Sequence, residues 1–149
     1  MIAILIVIGV IDLKTQYVYT SNIITGIIFG GIFIILNFIL GERVDLINIV
    51  LGAFIPALIL AIIFWKTNSM GWGDVEIIFI TGIFLGLKLN LLNLFVSIVI
   101  GGIYAFYLII FKNKSGKETI AFGPYIATAT YITILFGNKM IDWYLGTFL

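Results

Sequence analysis

Apolar runs follow one another along this chain with only short polar breaks between them. They occupy residues 1–11, 23–40, 46–65, 75–87, 91–111 and 120–136. A helix needs about 20 mostly apolar residues to cross the hydrocarbon core of a bilayer, so these runs read as membrane spans. Composition agrees. Of the 149 residues, 62% are hydrophobic and 10% charged, against about 45–50% apolar and about 25% charged in a soluble domain. A soluble fold of this size still exposes about 30% of its unfolded surface, and the apolar surplus has no place in that water-facing shell. In lipid each backbone polar group must be satisfied inside the protein, and apolar runs of this length do so as helices. The expected fold class is an all-α membrane protein, a polytopic bundle of about six transmembrane helices forming one domain over residues 1–149.

Two runs are short. The first ends at Asp12, and it crosses only by continuing toward Val18 or where the bilayer thins. No basic residue precedes it and no small-residue cleavage site follows, so it does not read as a signal peptide. The fourth run, 75–87, is short as well. The tail 138–149, with Trp143 and Tyr144, is either an interfacial segment or an extension of the sixth helix. Six spans alternate the loops between two sides. Lys14, Lys66, Lys112, Lys114 and Lys117 fall on one side; Arg43, Lys88 and Lys139 fall on the other. The positive-inside rule then places the first set in the cytoplasm.

The chain contains no Cys and no His. Disulfides, thiolate metal sites, thiol nucleophiles and imidazole general bases are therefore excluded. A net charge of +1 gives no basic surface for nucleic acid. Chemistry, if the chain performs any, falls to carboxylates, hydroxyls, Lys or Arg. Glu42, Arg43 and Asp45 read as solvated loop charges, and the 112–118 loop as a lipid-headgroup contact. Gly26/Gly30 and Gly82/Gly86 read as small-residue pairs for close helix packing. Two acids differ from these. Asp12 closes an unbroken apolar run, and Asp74 stands directly before one, in Gly71-Trp72-Gly73-Asp74-Val75. Asp74 alone is explained as a helix N-cap, with Gly71 and Gly73 lending backbone freedom around it. The pair says more. Both acids fall at the cytoplasmic ends of their spans, and packed helices would bring them to the same depth. Two carboxyls sharing a site cannot both ionise easily, so one holds a proton near neutral pH. That is the acid–base arrangement by which aspartic proteases activate water.

Three stretches together resemble the membrane-embedded prepilin peptidases, or type IV leader peptidases, of the GxGD aspartic protease group. Ile11-Asp12-Leu13-Lys14-Thr15 is similar to the family's first motif. Gly71-Trp72-Gly73-Asp74-Val75 matches its G-x-G-D motif. Ile120-Ala121-Phe122-Gly123-Pro124-Tyr125-Ile126-Ala127 resembles its last-helix stretch. The resemblance implies Asp12 and Asp74 as the catalytic pair, with Gly71, Gly73, Phe122, Gly123 and Pro124 binding substrate or shaping the site. Pro124 is expected to interrupt the last helix by removing a backbone hydrogen bond. The resemblance implies cleavage of a basic leader from prepilin or pseudopilin precursors at the cytoplasmic face of a prokaryotic plasma (inner) membrane, with no metal and no cofactor. Membrane lipid is the other expected partner, nucleic acid is not, and a homo-oligomer stays open.

Departures from the family pattern are specific. Val18-Tyr19-Thr20 stands where the family carries Ile-Pro-Asn or Ile-Pro-Asp. Ala121 replaces a Pro, and Glu76 replaces a common Lys. Residues two apart on a helix do not share a face, so Glu76 is expected to stand off from the aspartates. Larger relatives carry a Cys-rich N-terminal portion linked to N-methylation; this chain starts at the first motif, as a protease-only form or a fragment would. Two other readings compete. A small transporter or channel with an Asp pair would normally carry charge near the bilayer midplane, where these spans are mostly apolar. A purely structural membrane subunit is the remaining one. Presenilin-like enzymes share G-x-G-D, but their Tyr-Asp motif is missing here.

Overall fold

The computed structural model describes residues 20–67, 71–112 and 122–148. All four elements in these stretches are helices: α1 (Thr20–Ile39), α2 (Leu46–Thr67), α3 (Trp72–Lys112) and α4 (Gly123–Phe148). Two of them, α2 and α3, contain windows long and apolar enough to cross a membrane. The tail joins α4, which continues without a break to Phe148.

Local sequence sets the ends. At the close of α1, Gly41 takes φ 76°. Its N–H donates to Phe38 O, and the Glu42 N–H donates to Asn37 O. This is the glycine-terminated cap that satisfies the last carbonyls of a helix. Asp45 then opens α2, its Oδ1 accepting the Asn48 N–H at 3.1 Å. Asp45, expected as a plain loop charge, is therefore also an N-cap.

The long helix α3 is two rods. Gly86 sits inside it at φ 70°, ψ −178°, a region that is essentially glycine-only. The chain folds back there: Asn90 Nδ2 donates to Ile78 O at 3.0 Å, twelve residues earlier, a span of about 18 Å along a straight helix. The first arm (72–85) and second arm (87–112) are thus packed side by side. The break leaves the N–H groups of the second arm without helical partners. Asn48 of α2 meets one of them, its Oδ1 accepting the Leu87 N–H at 3.1 Å.

Close backbone approach holds α2 against the first arm. A Cβ on Gly52 would collide with the Gly86 backbone, and one on Gly82 with Gly52 O and the Ala53 Cα. Gly26 and Gly30 of α1 pack on Ile80 and Ile83 of the first arm. Both glycine pairs therefore serve packing within the bundle. The ring of Phe122 fills the space beside Gly101, and Gly137 lies against Leu89 and Leu92, so α4 runs antiparallel to the second arm.

Several polar side chains are buried while many large apolar ones face outward. Thr81, Asn90, Asn93, Ser97 and Thr130 are all 0% exposed, whereas Phe38, Leu40, Ile47, Trp65, Phe106 and Phe111 all exceed 60%. Water would favour the reverse. Lipid tolerates apolar exteriors and requires that interior polar groups find protein partners. The chain is a membrane protein. Asn90 lies between the fourth and fifth apolar runs and Asn93 at the start of the fifth, and the fold buries both.

Candidate active site

Asp74 lies in the first turn of α3 and is 3% exposed. Gly71 is the residue that caps the helix, its carbonyl accepting the Asp74 N–H at 3.1 Å. Asp74 is three residues in, and its Oδ2 accepts the Gly71 N–H at 3.0 Å. The expected N-cap role is corrected accordingly. Asp74 supplies the return half of a capping box, from the third position. A carboxylate is well placed there, since the N-terminal end of a helix carries partial positive charge.

The two glycines work differently from expectation. Neither Gly71 nor Gly73 has a positive φ; among the described residues only Gly41 and Gly86 do. At Gly71 a Cβ would meet nothing nearer than Asp74 Oδ2 at 3.8 Å. Gly71 itself is exposed. Between them Trp72 is exposed and packs edge-on against Phe64 of α2, with ring centroids 5.8 Å apart.

Phe122, Gly123 and Pro124 form the start of α4. The Phe122 carbonyl accepts N–H groups from Tyr125 at 3.0 Å and Ile126 at 3.2 Å. Pro124 therefore sits in the first turn, where a missing N–H costs no helical hydrogen bond. It does not interrupt the helix, as the sequence reading expected; it helps to begin it. Phe122 is buried in one apolar cluster with Val75, Ile78, Leu94 and Ile126, so the residue after Asp74 and the start of α4 share a core. Register agrees, because Gly71 and Gly101 lie equally far along the chain from Gly86. The second arm runs on past this level, carrying Tyr104 against Tyr125 and Tyr107 stacked on Phe111.

Helix directions divide the charges between the two ends of the bundle. Gly26 meets Ile80 and Gly30 meets Ile83, so α1 runs parallel to the first arm and begins at the Asp74 end. Lys66 closes α2 at that same end. The Gly41–Asp45 turn and Lys88 lie at the other, where Asn48 meets Leu87. Asp12, eight residues before Thr20, lies outside the described residues.

What sequence reasoning missed is the polar seam. Asn90 Nδ2 donates to Gly52 O at 2.8 Å. That carbonyl lacks its normal helical donor because Pro56, four residues on, has no N–H. Thr81 Oγ1 has Asn90 Oδ1 within 2.8 Å, Asn93 Nδ2 donates to Asn90 Oδ1 at 3.2 Å, and Thr130 Oγ1 donates to Asn93 Oδ1 at 3.2 Å. The seam ties α2, both arms of α3 and α4 together. Its signal was Asn90, Asn93 and Ser97 recurring at i, i+3 and i+7, one face of a helix.

Residues 1–106 match the model of the type IV leader peptidase family. This range includes Asp12 and Asp74 and stops before Phe122. Three bacterial relatives are each named prepilin leader peptidase/N-methyltransferase. The Aeromonas salmonicida (strain A449) protein is 33% identical over 117 residues, covering 74% of this chain and 40% of its own length. The Aeromonas hydrophila protein is 32% identical over 117 residues, with the same coverage, 74% and 40%. The Pseudomonas putida protein is 29% identical over 142 residues, covering 91% of this chain and 48% of its own length. The chain thus spans less than half the length of these relatives. No solved structure matches it.

Proposed function

The chain belongs to the type IV leader peptidase family, and we propose that it is an aspartic endopeptidase acting on prepilin or pseudopilin precursors. In this reading Asp12 and Asp74 share one proton. The ionised carboxylate takes a proton from water as the water oxygen attacks the scissile carbonyl carbon. The protonated carboxyl donates to the carbonyl oxygen. Collapse of the tetrahedral intermediate then breaks the C–N bond, and the departing nitrogen takes a proton from the pair. No third group is needed.

The observation that carries the reading is Asp74 itself. A buried carboxylate opens a helix at one end of an apolar bundle, and α1 starts from that end eight residues after Asp12. Six spans with the Lys66 and Lys112–Lys117 loops in the cytoplasm would put this end on the inner face of the plasma membrane. Phe122, Gly123 and Pro124, at the start of α4, would close one side of the site.

The test is co-expression of the full chain with a pilin-like precursor carrying a basic leader, followed by gel mobility. The unaltered chain removes the leader; Asp12→Asn and Asp74→Asn, at normal membrane levels, do not. Full processing by either variant would put the transport or structural reading ahead.

A further inference from the structure

The second arm of α3 outruns its neighbours at the Asp74 end. Asp74 and Ile98 lie equally far along the chain from Gly86, so Ile98 marks the level of Asp74. Thr20 precedes Gly26 by as many residues as Asp74 precedes Ile80, and Gly26 packs on Ile80; α1 therefore begins at that level. Helix α2 ends at Thr67, just after Phe64, whose ring meets Trp72. Helix α4 begins beside Gly101, which meets Phe122. All three ends fall within about 8 Å of Asp74 along the bundle axis, whereas the second arm runs on to Lys112, about 21 Å past Ile98. Its outer side keeps one character throughout. Phe95, Ile98, Val99, Ile103, Phe106 and Ile110 recur at helical spacing on one face, and all are exposed. No charged residue stands between Lys88 and Lys112. The adjoining face carries Tyr104, Tyr107 and Phe111 at i, i+3 and i+7, with Tyr104 against Tyr125 and Tyr107 stacked on Phe111. Tyrosines collect where acyl chains give way to headgroups.

We propose that the face of the second arm bearing Ile103, Phe106 and Ile110 is a lipid-contact surface, covered by acyl chains of the leaflet at the Asp74 end, with headgroups at the level of Tyr107 to Lys112. Continuity carries this choice of occupant. Phe95 lies alongside the first arm, within the membrane, and the stripe extends from it without a polar break on that face. Large apolar side chains bared to water over this length would instead mark a protein partner. On this side of the bundle Asp74 then stands about 13 Å or more below the headgroups. At α2, the exposed Trp65 beside Lys66 marks an interface closer to the level of Asp74. The two levels together mean that the bundle stands tilted in the bilayer. The inference does not depend on which reaction Asp74 performs.

The test places one thiol at a time in the full chain, labels it with a fluorophore and reconstitutes it in vesicles of phosphatidylcholine and phosphatidylglycerol. Ile103→Cys and Phe106→Cys are read separately, so that the test stands if one variant fails to reach the membrane. Phe95→Cys and Lys66→Cys are the references. Three quenchers are compared: a lipid with a nitroxide near the headgroup end of its acyl chain, a lipid with the nitroxide near the chain's far end, and iodide on both sides of the membrane. Labels at Ile103 and Phe106 should lose most of their emission to the shallow nitroxide and little to iodide. The label at Phe95 should lose most to the deep nitroxide, and the label at Lys66 most to iodide. Labels at Ile103 and Phe106 that follow Lys66 would mean that the arm stands in water, which overturns the proposal. Labels that no quencher reaches would mean that protein covers the face, a second copy or residues 1–19 or 113–121, and that overturns it equally.

Discussion

At Asp74 the carboxylate has two jobs that one substitution can separate. Its Oδ2 accepts the Gly71 N–H, which fixes the first turn of α3, and in the proposed reaction the same group exchanges a proton. Asn retains an acceptor oxygen for the Gly71 N–H but cannot serve as an ionised base. Asp74→Asn should therefore leave the helix capped while lowering cleavage by roughly 10²–10⁴-fold, the usual worth of positioned acid–base catalysis. Asp12→Asn should fall in the same range. If the two carboxyls share a proton as proposed they act as one unit, and the double variant should be no slower than the slower single variant. Initial rates on a single precursor decide this, and a double variant whose loss is the product of the single losses would mean independent roles. Asp74 stood out in the sequence, since an acid directly before an apolar run needs a reason. Its position in the turn was not, because Gly71 rather than an Asp or Ser caps the helix, and the acid reaches back from the third position.

Between elements, stability turns on a carbonyl that Pro56 leaves without a donor. Asn90 Nδ2 meets Gly52 O across the α2–α3 contact, and the same amide nitrogen meets Ile78 O. Asn90→Leu keeps the branched shape and removes both donors, so it should cost about 1–2 kcal/mol, the range for side-chain hydrogen bonds between membrane helices. Pro56→Ala restores an N–H to Gly52 O within α2. In that background Asn90→Leu should cost measurably less, and the coupling appears as non-additivity in a double-mutant cycle of unfolding in mixed micelles. Strict additivity would show that Asn90 does not stand in for the missing N–H. Gly86→Ala should also destabilise, by about 1–3 kcal/mol, because its backbone lies where only glycine is unstrained and a Cβ would lie 2.6 Å from Asn48 Nδ2. The helices themselves were legible from apolar runs. The seam was not, because its partners are far apart in sequence: Asn90 and Gly52 are separated by 38 residues. Pro124 misled for a related reason. A proline reads as a kink unless the helix start is known, and Phe122 sets that start through its carbonyl.

For the whole molecule, the cations among the described residues separate by end, as the alternation of runs implied. Lys66 stands at the Asp74 end. Lys88 follows Gly86 at the other end, beside the turn that holds Arg43. Lys139 follows Gly137, which packs against Leu89, so it belongs with Lys88. This sorting fixes which charges share a side, and the proposed function adds which side is cytoplasmic. The chain lacks cysteine, so a single introduced thiol can report position in it without background. Lys66→Cys and Ser115→Cys should resist a membrane-impermeant maleimide in intact cells and react once the membrane is opened. Glu42→Cys and Lys88→Cys should react in intact cells. The cationic sum favours this orientation by only five residues to three, a modest bias that the Lys112–Lys117 cluster concentrates beside one span. If all four positions reversed together, the bundle would stand as described with Asp74 on the outer side. A leader held in the cytoplasm would then be out of reach, and the peptidase proposal would fail on topology. If Lys66→Cys and Lys88→Cys reported the same side, the first arm of α3 would not cross the membrane, and Asp74 would not lie at the end of a span.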